Sequence, residues 1–111
     1  MNRKIVMISQ PMAGIDKDTV IETRKSVKYK LLNDGYKVKD TFVSDNVPSG
    51  VKHRSIWYLA KSIEHMSDVD AVYFCNGWKK ARGCVIENIV ARAYGLECIY
   101  EDSVKELILT R

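Results

Sequence analysis

The sequence has no long apolar run. None of its apolar stretches approaches the roughly 20 residues that a membrane-spanning helix needs. The basic start at residues 1–4 leads directly into an apolar strand pattern, which is not the composition of a signal peptide. A chain of 111 residues has room for one hydrophobic core. We therefore expect a single domain over residues 1–111 that is cytoplasmic and has no membrane partner.

Cysteine and histidine are too few and too scattered for a disulfide framework or a metal centre. Cys75, Cys84 and Cys98 lack CxxC spacing, and we expect reduced thiols in a reducing compartment. His53 and His65 have no ligand-like spacing with cysteines or acids. The six glycines never form GxGxxG, so the dinucleotide fingerprint is absent. We therefore expect no metal and no cofactor.

The excess of positive charge is small, at +4 for the whole chain. Lys79, Lys80 and Arg82 form a basic cluster. A solvated basic face explains such a cluster; an anionic small ligand is the second interpretation and nucleic acid is the third. The sequence has neither a basic tail nor an aromatic-basic repeat, so we expect no nucleic-acid partner.

The chain does contain a regular alternation of strand and helix patterns. Short apolar or alternating runs predict strands at residues 4–9, 36–40, 71–75 and 96–100. Helical spacing predicts helices from Asp16 or Asp18 to about Asn33, over residues 54–67, from about Cys84 up to the capping Gly95, and over residues 104–109. This alternation predicts a three-layer α/β fold, flavodoxin-like or Rossmann-like, with a four-stranded parallel sheet in the order 2-1-3-4.

Each long helix carries an apolar stripe that we expect to face the core. The stripes are Val20, Ile21, Val27, Leu31 and Leu32 in the first helix, Ile56, Leu59, Ala60, Ile63 and Met66 in the second, and Val85, Ile86, Ile89, Val90 and Ala93 in the third. We expect Trp57 and Tyr58 to pack in the core or at an interface.

Two loops connect the carboxyl end of a strand to the start of a helix. They span residues 9–14 and 76–83, and in a parallel sheet both lie at the same edge. Open α/β sheets bind ligands at that edge, where backbone N–H groups and helix dipoles favour phosphate or carboxylate. The loop at residues 41–53 is long for a simple connection, which favours a functional or mobile segment.

Glu87 lies in the first turns of the helix that follows the loop at residues 76–83, on the side away from the predicted apolar stripe. One interpretation is a carboxylate that the helix N-terminus keeps ionised and aims into the crevice. The other is an ordinary first-turn glutamate that complements the helix dipole and has no catalytic role. The segment by itself leaves both interpretations open.

Three segments together carry a resemblance to a known family: SQPMAG at residues 9–14, DAVYF at residues 70–74 and ARGCVIE at residues 81–87. With them the chain resembles the nucleoside 2-deoxyribosyltransferase-like superfamily, and most closely its small bacterial and phage branch. The similarity covers about residues 4–100, and SQPMxG and GWxxARGCxxE are its distinctive motifs. It moves the catalytic interpretation of Glu87 ahead of the structural one.

The resemblance implies that Glu87, four residues after Gly83, attacks the anomeric carbon of a deoxyribosyl group. It also implies that the loop at residues 9–14 closes over the nucleobase or sugar, and that Arg82 meets a 5′-phosphate. The substrate-binding positions that it implies are Ser9, Gln10, Met12, Gly14, Ser62, Asn76, Gly77, Trp78, Arg82 and Gly83.

Two positions depart from the pattern of characterised relatives. Ser62 stands eight residues before Asp70, in the place of an aspartate, and serine cannot share protons with a leaving base as a carboxylic acid does. Either Asp40, Asp45 or another acid takes that role, or catalysis is weak, or the chain only binds. Val85 stands where glycine is common, which narrows the space beside the nucleophile.

The leading hypothesis is an enzyme that cleaves or transfers the N-glycosidic bond of a small-molecule nucleoside or nucleotide through Glu87. The alternative is a non-catalytic nucleotide-binding module with a regulatory or sequestering role, which Ser62 motivates. A nucleic-acid-binding role, motivated by the basic loop, is the third hypothesis. Relatives assemble as homo-oligomers, and Trp57 and Tyr58 on an outer helix are compatible with at least a dimer.

Overall fold

The computed structural model describes residues 3–41 and 47–101. The elements in chain order are β1 (Ile5–Ser9), α1 (Lys17–Asn33), β2 (Lys37–Val38), α2 (Arg54–Met66), β3 (Ala71–Phe74), a 3₁₀ helix (Trp78–Lys80), α3 (Arg82–Ala93) and β4 (Glu97–Tyr100). The helix predicted at residues 104–109 and the candidate acid Asp45 lie outside the described residues. No helix in the described ranges is long and apolar enough to cross a membrane.

The four strands form one parallel sheet in the order β2-β1-β3-β4. This confirms the predicted strand order and the α/β fold class. β1 and β3 are the central strands, and Ser9 pairs with Phe74 at their carboxyl ends. The loops that leave these two strands therefore start side by side at one edge of the sheet, as predicted.

Successive residues of each strand point to opposite faces of the sheet. Helices cover both of these faces. Val6 and Ile8 pack with Val27 and Leu31 of α1. On the other face, Met7 shares a cluster with residues of α2, α3 and the neighbouring strand: Met66, Ala91, Val72 and Phe74. The all-buried β3 confirms the prediction of a central strand covered on both faces.

The boundaries of α1 follow from local signals. Asp16 is the N-cap, and its carboxylate accepts a hydrogen bond from the backbone N–H of Thr19. Gly35 follows the helix with φ at +94°, a conformation that side chains rarely adopt. Leu32 is exposed, so its place in the predicted apolar stripe was wrong.

The apolar stripe of α2 is only partly covered in the described part of the chain. Met66 is the buried residue of the helix, while Ile56 is 63% exposed and Ala60 is also exposed. The prediction that the whole stripe faces the core was therefore wrong. The reason is position: α2 packs mainly beside α3, and its carboxyl end reaches the sheet through Met66.

Candidate functional site

The carboxyl group of Glu87 is buried at the edge of the sheet where β1 ends. The residue is 7% exposed, and the Ser9 hydroxyl donates a hydrogen bond to Glu87 Oε1 at 2.8 Å. Because α3 begins at Arg82, two residues earlier than predicted, Glu87 stands in its second turn. Glu87 therefore differs in position from an ordinary first-turn glutamate that complements the helix dipole.

The buried face of α3 is not the one that its apolar residues predict. Cys84, Glu87, Asn88 and Ala91 are buried, whereas Ile89, a member of the predicted stripe, is 52% exposed. The four buried residues have helical i, i+3, i+4, i+7 spacing, so they form one continuous face. The sheet contributes hydrogen-bonding groups to this face, which is why two polar side chains are buried there in place of isoleucine and valine.

Opposing influences act on the ionisation of Glu87. Burial raises its pKa, because removing the carboxylate from water disfavours the charged form. Hydrogen bonds from Ser9 and Ser62 and the positive charge of Arg24 lower the pKa. The result is a desolvated carboxyl with a pKa above its ordinary value and three neighbours that favour its ionised form.

Cys84 lies one turn before Glu87 on the same face of α3, and its side chain also forms a hydrogen bond with that of Ser9. Burial raises the pKa of the Cys84 thiol to about 11, and the charge of Glu87 acts in the same direction. The thiol is therefore protonated at neutral pH and is a weak nucleophile. Cys75, Cys84 and Cys98 form no disulfide in the structure.

The loop that follows β1 contains one buried and two exposed candidates. Gln10 is buried, and its side chain is held at both ends: Nε2 donates to the Val20 carbonyl at 2.9 Å, and Oε1 accepts from Arg24 at 3.2 Å. Met12 and Gly14 are exposed. Met12 is thus available to a ligand, whereas Gln10 serves mainly to fix the loop on α1.

The loop that follows β3 touches the first loop. A Cβ built on Gly77 would lie 3.8 Å from Pro11, an ordinary contact, so the φ of +84° and not the space favours glycine here. The exposed Asn76 donates its backbone N–H to Glu101 Oε1 at 2.8 Å. Glu101, which the sequence did not single out, therefore fixes the start of this loop.

Trp78 packs in a cluster of three aromatic rings. Its ring centroid lies 5.2 Å from that of Phe74 and 5.4 Å from that of Tyr100. Asn88, next to Glu87, donates from Nδ2 to the Tyr100 hydroxyl at 3.0 Å. The half-buried Trp78 is thus connected to the face of α3 that carries Glu87.

The start of α3 places the remaining candidates. Arg82 is exposed at its first residue, close in sequence to the exposed Lys79 and Lys80. Gly83 faces α2, where an added Cβ would lie 4.0 Å from Leu59 Cδ1, which is ordinary contact distance. Gly83 therefore lies where α2 and α3 come together, but the space between the two helices does not strictly require a glycine there.

Two acids were named as alternatives to the aspartate that Ser62 replaces, and the structure describes one of them. Asp40 is largely exposed, and its carboxylate lies 3.9 Å from Arg24 Nε. Asp45 lies outside the described residues. Within residues 3–41 and 47–101, no group of three or more histidine, cysteine or acidic residues is arranged to hold a metal ion.

Comparison with protein-family models matches residues 4–100 to the family described as Domain of unknown function (DUF4406). The chain belongs to the DUF4406 family. No curated protein and no solved structure matches it. In this DUF4406 chain, the matched range includes Ser9, Arg24, Ser62 and Glu87, and it ends one residue before Glu101.

Sequence reasoning missed four residues of the candidate site: Arg24, Asn88, Tyr100 and Glu101. Asn88 carried a detectable signal, because it lies one turn from Cys84 and beside Glu87 on a helix. Arg24 and Glu101 carried no such signal, because the sequence pattern around them predicts exposure and exposed charged residues are usually solvated. Their roles depend on contacts between segments distant in sequence.

Proposed function

We propose that this protein cleaves or transfers the N-glycosidic bond of nucleosides or nucleotides, with Glu87 as the nucleophile. The observation that carries the proposal is the buried Glu87 carboxyl, held by Ser9 at 2.8 Å where the two strand-to-helix loops begin. The likeness of its motifs to the nucleoside 2-deoxyribosyltransferase-like superfamily supports the same conclusion. A protein that used Glu87 only as a surface charge would have no reason to desolvate it.

In the proposed reaction, an oxygen of the Glu87 carboxylate bonds to the anomeric carbon while the carbon–nitrogen bond breaks. The bonding pair leaves with the base, which takes up a proton from solvent water, and a glycosyl ester remains on Glu87. Water then hydrolyses the ester in a hydrolase, or a second base displaces Glu87 in a transferase. The negative charge of Glu87 also stabilises the oxocarbenium-like transition state.

The neighbours of Glu87 suit this role. The Ser9 and Ser62 hydroxyls donate to the carboxylate and hold it in one orientation, which favours attack on a positioned carbon. Both hydroxyls also lower the pKa of Glu87 against the effect of burial, so they raise the fraction of carboxylate that can react. Cys84 does not compete as nucleophile, because burial raises its pKa to about 11.

The exposed basic cluster suits a substrate that carries a 5′-phosphate. Arg82 is the first residue of α3, where the helix dipole adds positive potential, and Lys79 and Lys80 lie in the 3₁₀ helix just before it. We expect Arg82→Met to lower kcat/KM for a deoxynucleoside 5′-monophosphate and to leave kcat/KM for the matching nucleoside unchanged. Equal effects on both substrates would place Arg82 outside phosphate recognition.

Base release from a panel of deoxynucleosides and their 5′-monophosphates tests the proposal. We expect release by the wild type and by the control Glu64→Gln, which changes an exposed glutamate of α2. We expect no release by Glu87→Gln with an unchanged circular dichroism spectrum. If folded wild-type protein releases base from none of these substrates, the proposal of N-glycosidic activity is refuted.

Ser62 favours a second candidate, a non-catalytic nucleotide-binding module. Its hydroxyl bonds to Glu87 where characterised relatives of the resembled superfamily carry an aspartate that can share protons. This candidate requires thermal stabilisation by a nucleotide in both wild type and Glu87→Gln, without turnover in either. Turnover that depends on Glu87 would exclude it.

We also propose that the protein forms a homo-oligomer through α2. The uncovered stripe around Ile56, which is 63% exposed, supports this assembly because monomeric proteins rarely leave the apolar face of an amphipathic helix in water. Ile56→Asp should reduce the mass in solution to that of one chain. Tyr29→Asp, a similarly exposed change on α1 across the sheet, should not. A monomeric wild type would refute the assembly.

A further inference from the structure

Arg24 is a cation largely withdrawn from solvent on α1, with a side chain that is 12% exposed. Its guanidinium donates from Nη1 to Gln10 Oε1 at 3.2 Å and from Nη2 to Thr41 Oγ1 at 2.9 Å. Its Nε lies 3.9 Å from the Asp40 carboxylate. One side chain therefore joins three segments: α1, the loop after β1 and the segment after β2.

The contact with Gln10 connects Arg24 to the candidate nucleophile. Gln10 is buried and is also anchored to α1 through the Val20 carbonyl, at 2.9 Å from its Nε2. The residue before it is Ser9, whose hydroxyl donates to Glu87 at 2.8 Å. A displacement of Gln10 would therefore move Ser9, since the two share a peptide unit at the end of β1.

The charge of Arg24 also acts on the site. Burial lowers the pKa of Arg24, while Asp40, Cys75 and Glu87 act in the opposite direction, and arginine remains protonated in proteins. A partly desolvated cation costs free energy unless nearby groups compensate it. Among the described residues, the groups that bear on Glu87 are Ser9 from β1, Ser62 from α2, Cys84 on its own helix and the cation Arg24.

We propose that Arg24 is a positioning residue of this site. Its planar fork fixes Gln10, and hence the end of β1 that carries Ser9, while its charge favours the ionised form of Glu87. The effect on turnover rests on the proposed function; the effect on the ionisation of Glu87 does not. Lysine would keep the charge but not the two-pronged geometry, so the two contributions separate experimentally.

The first test measures the ionisation of Glu87 directly. The side-chain carboxyl carbon is followed by NMR against pH in uniformly ¹³C-labelled protein, and the signal is assigned by its loss in Glu87→Gln. We expect the titration midpoint to rise in Arg24→Gln and to stay near the wild-type value in Arg24→Lys. Lys25→Met removes an exposed charge at the next position and should leave the midpoint unchanged. An unchanged midpoint in folded Arg24→Gln would overturn the electrostatic part.

The second test measures base release as a function of pH. We expect Arg24→Lys to keep the acidic limb of the kcat/KM profile and to lose roughly tenfold to a hundredfold in kcat/KM, as expected for a misplaced nucleophile. Arg24→Gln should lose activity and also shift the acidic limb to higher pH. Wild-type kcat/KM in Arg24→Lys would overturn the positioning role, and this holds even if Arg24→Gln does not fold.

The two tests distinguish failure of this inference from failure of the proposed function. If no protein, including the wild type, releases base, the enzyme proposal fails, and the NMR midpoints still decide whether Arg24 controls Glu87. If the wild type releases base and both Arg24 variants behave like it, the enzyme proposal stands and the role of Arg24 is refuted.

Discussion

The Ser9 hydroxyl donates a hydrogen bond to Glu87 Oε1 at 2.8 Å, although the two residues are 78 positions apart in the chain. Ser9 ends β1 and Glu87 lies on the buried face of α3. The bond exists because β1 and β3 pair in parallel, which brings the strand end and the helix after β3 to one edge of the sheet. Ser9 thus links the central strand to the carboxyl group that we propose as nucleophile.

Removal of this hydroxyl should change the ionisation of Glu87. The bond from Ser9 lowers the pKa of Glu87, so in Ser9→Ala the pKa rises further above its ordinary value. We expect the acidic limb of the kcat/KM profile to move to higher pH and kcat/KM at neutral pH to fall roughly tenfold, as for the loss of one hydrogen bond to a charged group. Ser26→Ala, an exposed change on α1, is the control and should have no effect.

The raised pKa of Glu87 also predicts how stability depends on pH. A carboxyl whose pKa is raised by folding stabilises the native state below its unfolded pKa of about 4.3. That contribution is lost as the pH rises through the folded pKa of Glu87. The glutamine of Glu87→Gln stays neutral at every pH, so this variant keeps the contribution that the wild type loses. It should therefore be more stable than the wild type at pH 7, by about 0.5–2 kcal/mol, the range typical of stabilising substitutions.

Urea unfolding of the two proteins at pH 4 and pH 7 checks this prediction. The advantage of Glu87→Gln should be present at pH 7 and should shrink towards pH 4, where the wild-type carboxyl is protonated. A wild type that is the more stable protein at pH 7 would mean that Ser9, Ser62 and Arg24 outweigh the effect of burial.

The limits of sequence reasoning are visible in particular helices. α1 was predicted almost to the residue, because Asp16 and Gly35 are local start and stop signals. The strand order was also predicted, because alternating strands and helices allow few topologies. The buried face of α3 was not predicted, since a count of apolar residues favours Ile89 and cannot show that Ser9 offers a hydrogen bond to Glu87 from a distant strand.

Cys84 should resist alkylation in the native protein. Burial raises its pKa to about 11, so the thiolate fraction at pH 8 is on the order of one in a thousand. We expect iodoacetamide to label the half-buried Cys98 before the buried Cys84, and urea to make all three cysteines reactive. Mass spectrometry of peptides after timed labelling checks the order. Equal rates for Cys84 and Cys98 at pH 8 would contradict the buried, protonated thiol.

Asn88 and Tyr100 should be energetically coupled. Asn88 Nδ2 donates to the Tyr100 hydroxyl at 3.0 Å, and one such bond contributes about 1 kcal/mol to stability. Asn88→Ala, Tyr100→Phe and the double variant form a mutant cycle. Unfolding free energies should give a coupling of about 1 kcal/mol. Additive effects would show that the aromatic cluster is held by ring packing without this bond.

Ser62→Asp should create a second carboxyl beside the first. Ser62 bonds to Glu87, so an aspartate here places two acids close together, and repulsion between like charges raises the pKa of one of them. The acid that retains its proton can protonate a departing base. We therefore expect base release from neutral deoxynucleosides to increase in Ser62→Asp, by up to about a hundredfold, the lower range for general acid catalysis.

Two variants of the same position show whether the new acid causes that increase. Ser62→Asn has nearly the size of aspartate but cannot donate a proton as an acid, so it should not increase base release. Ser62→Ala removes the hydroxyl that lowers the pKa of Glu87, so it should shift the acidic limb of the kcat/KM profile to higher pH. If Ser62→Asp and Ser62→Asn have equal activity, the serine is not what limits catalysis, and protonation of the base depends on a different group.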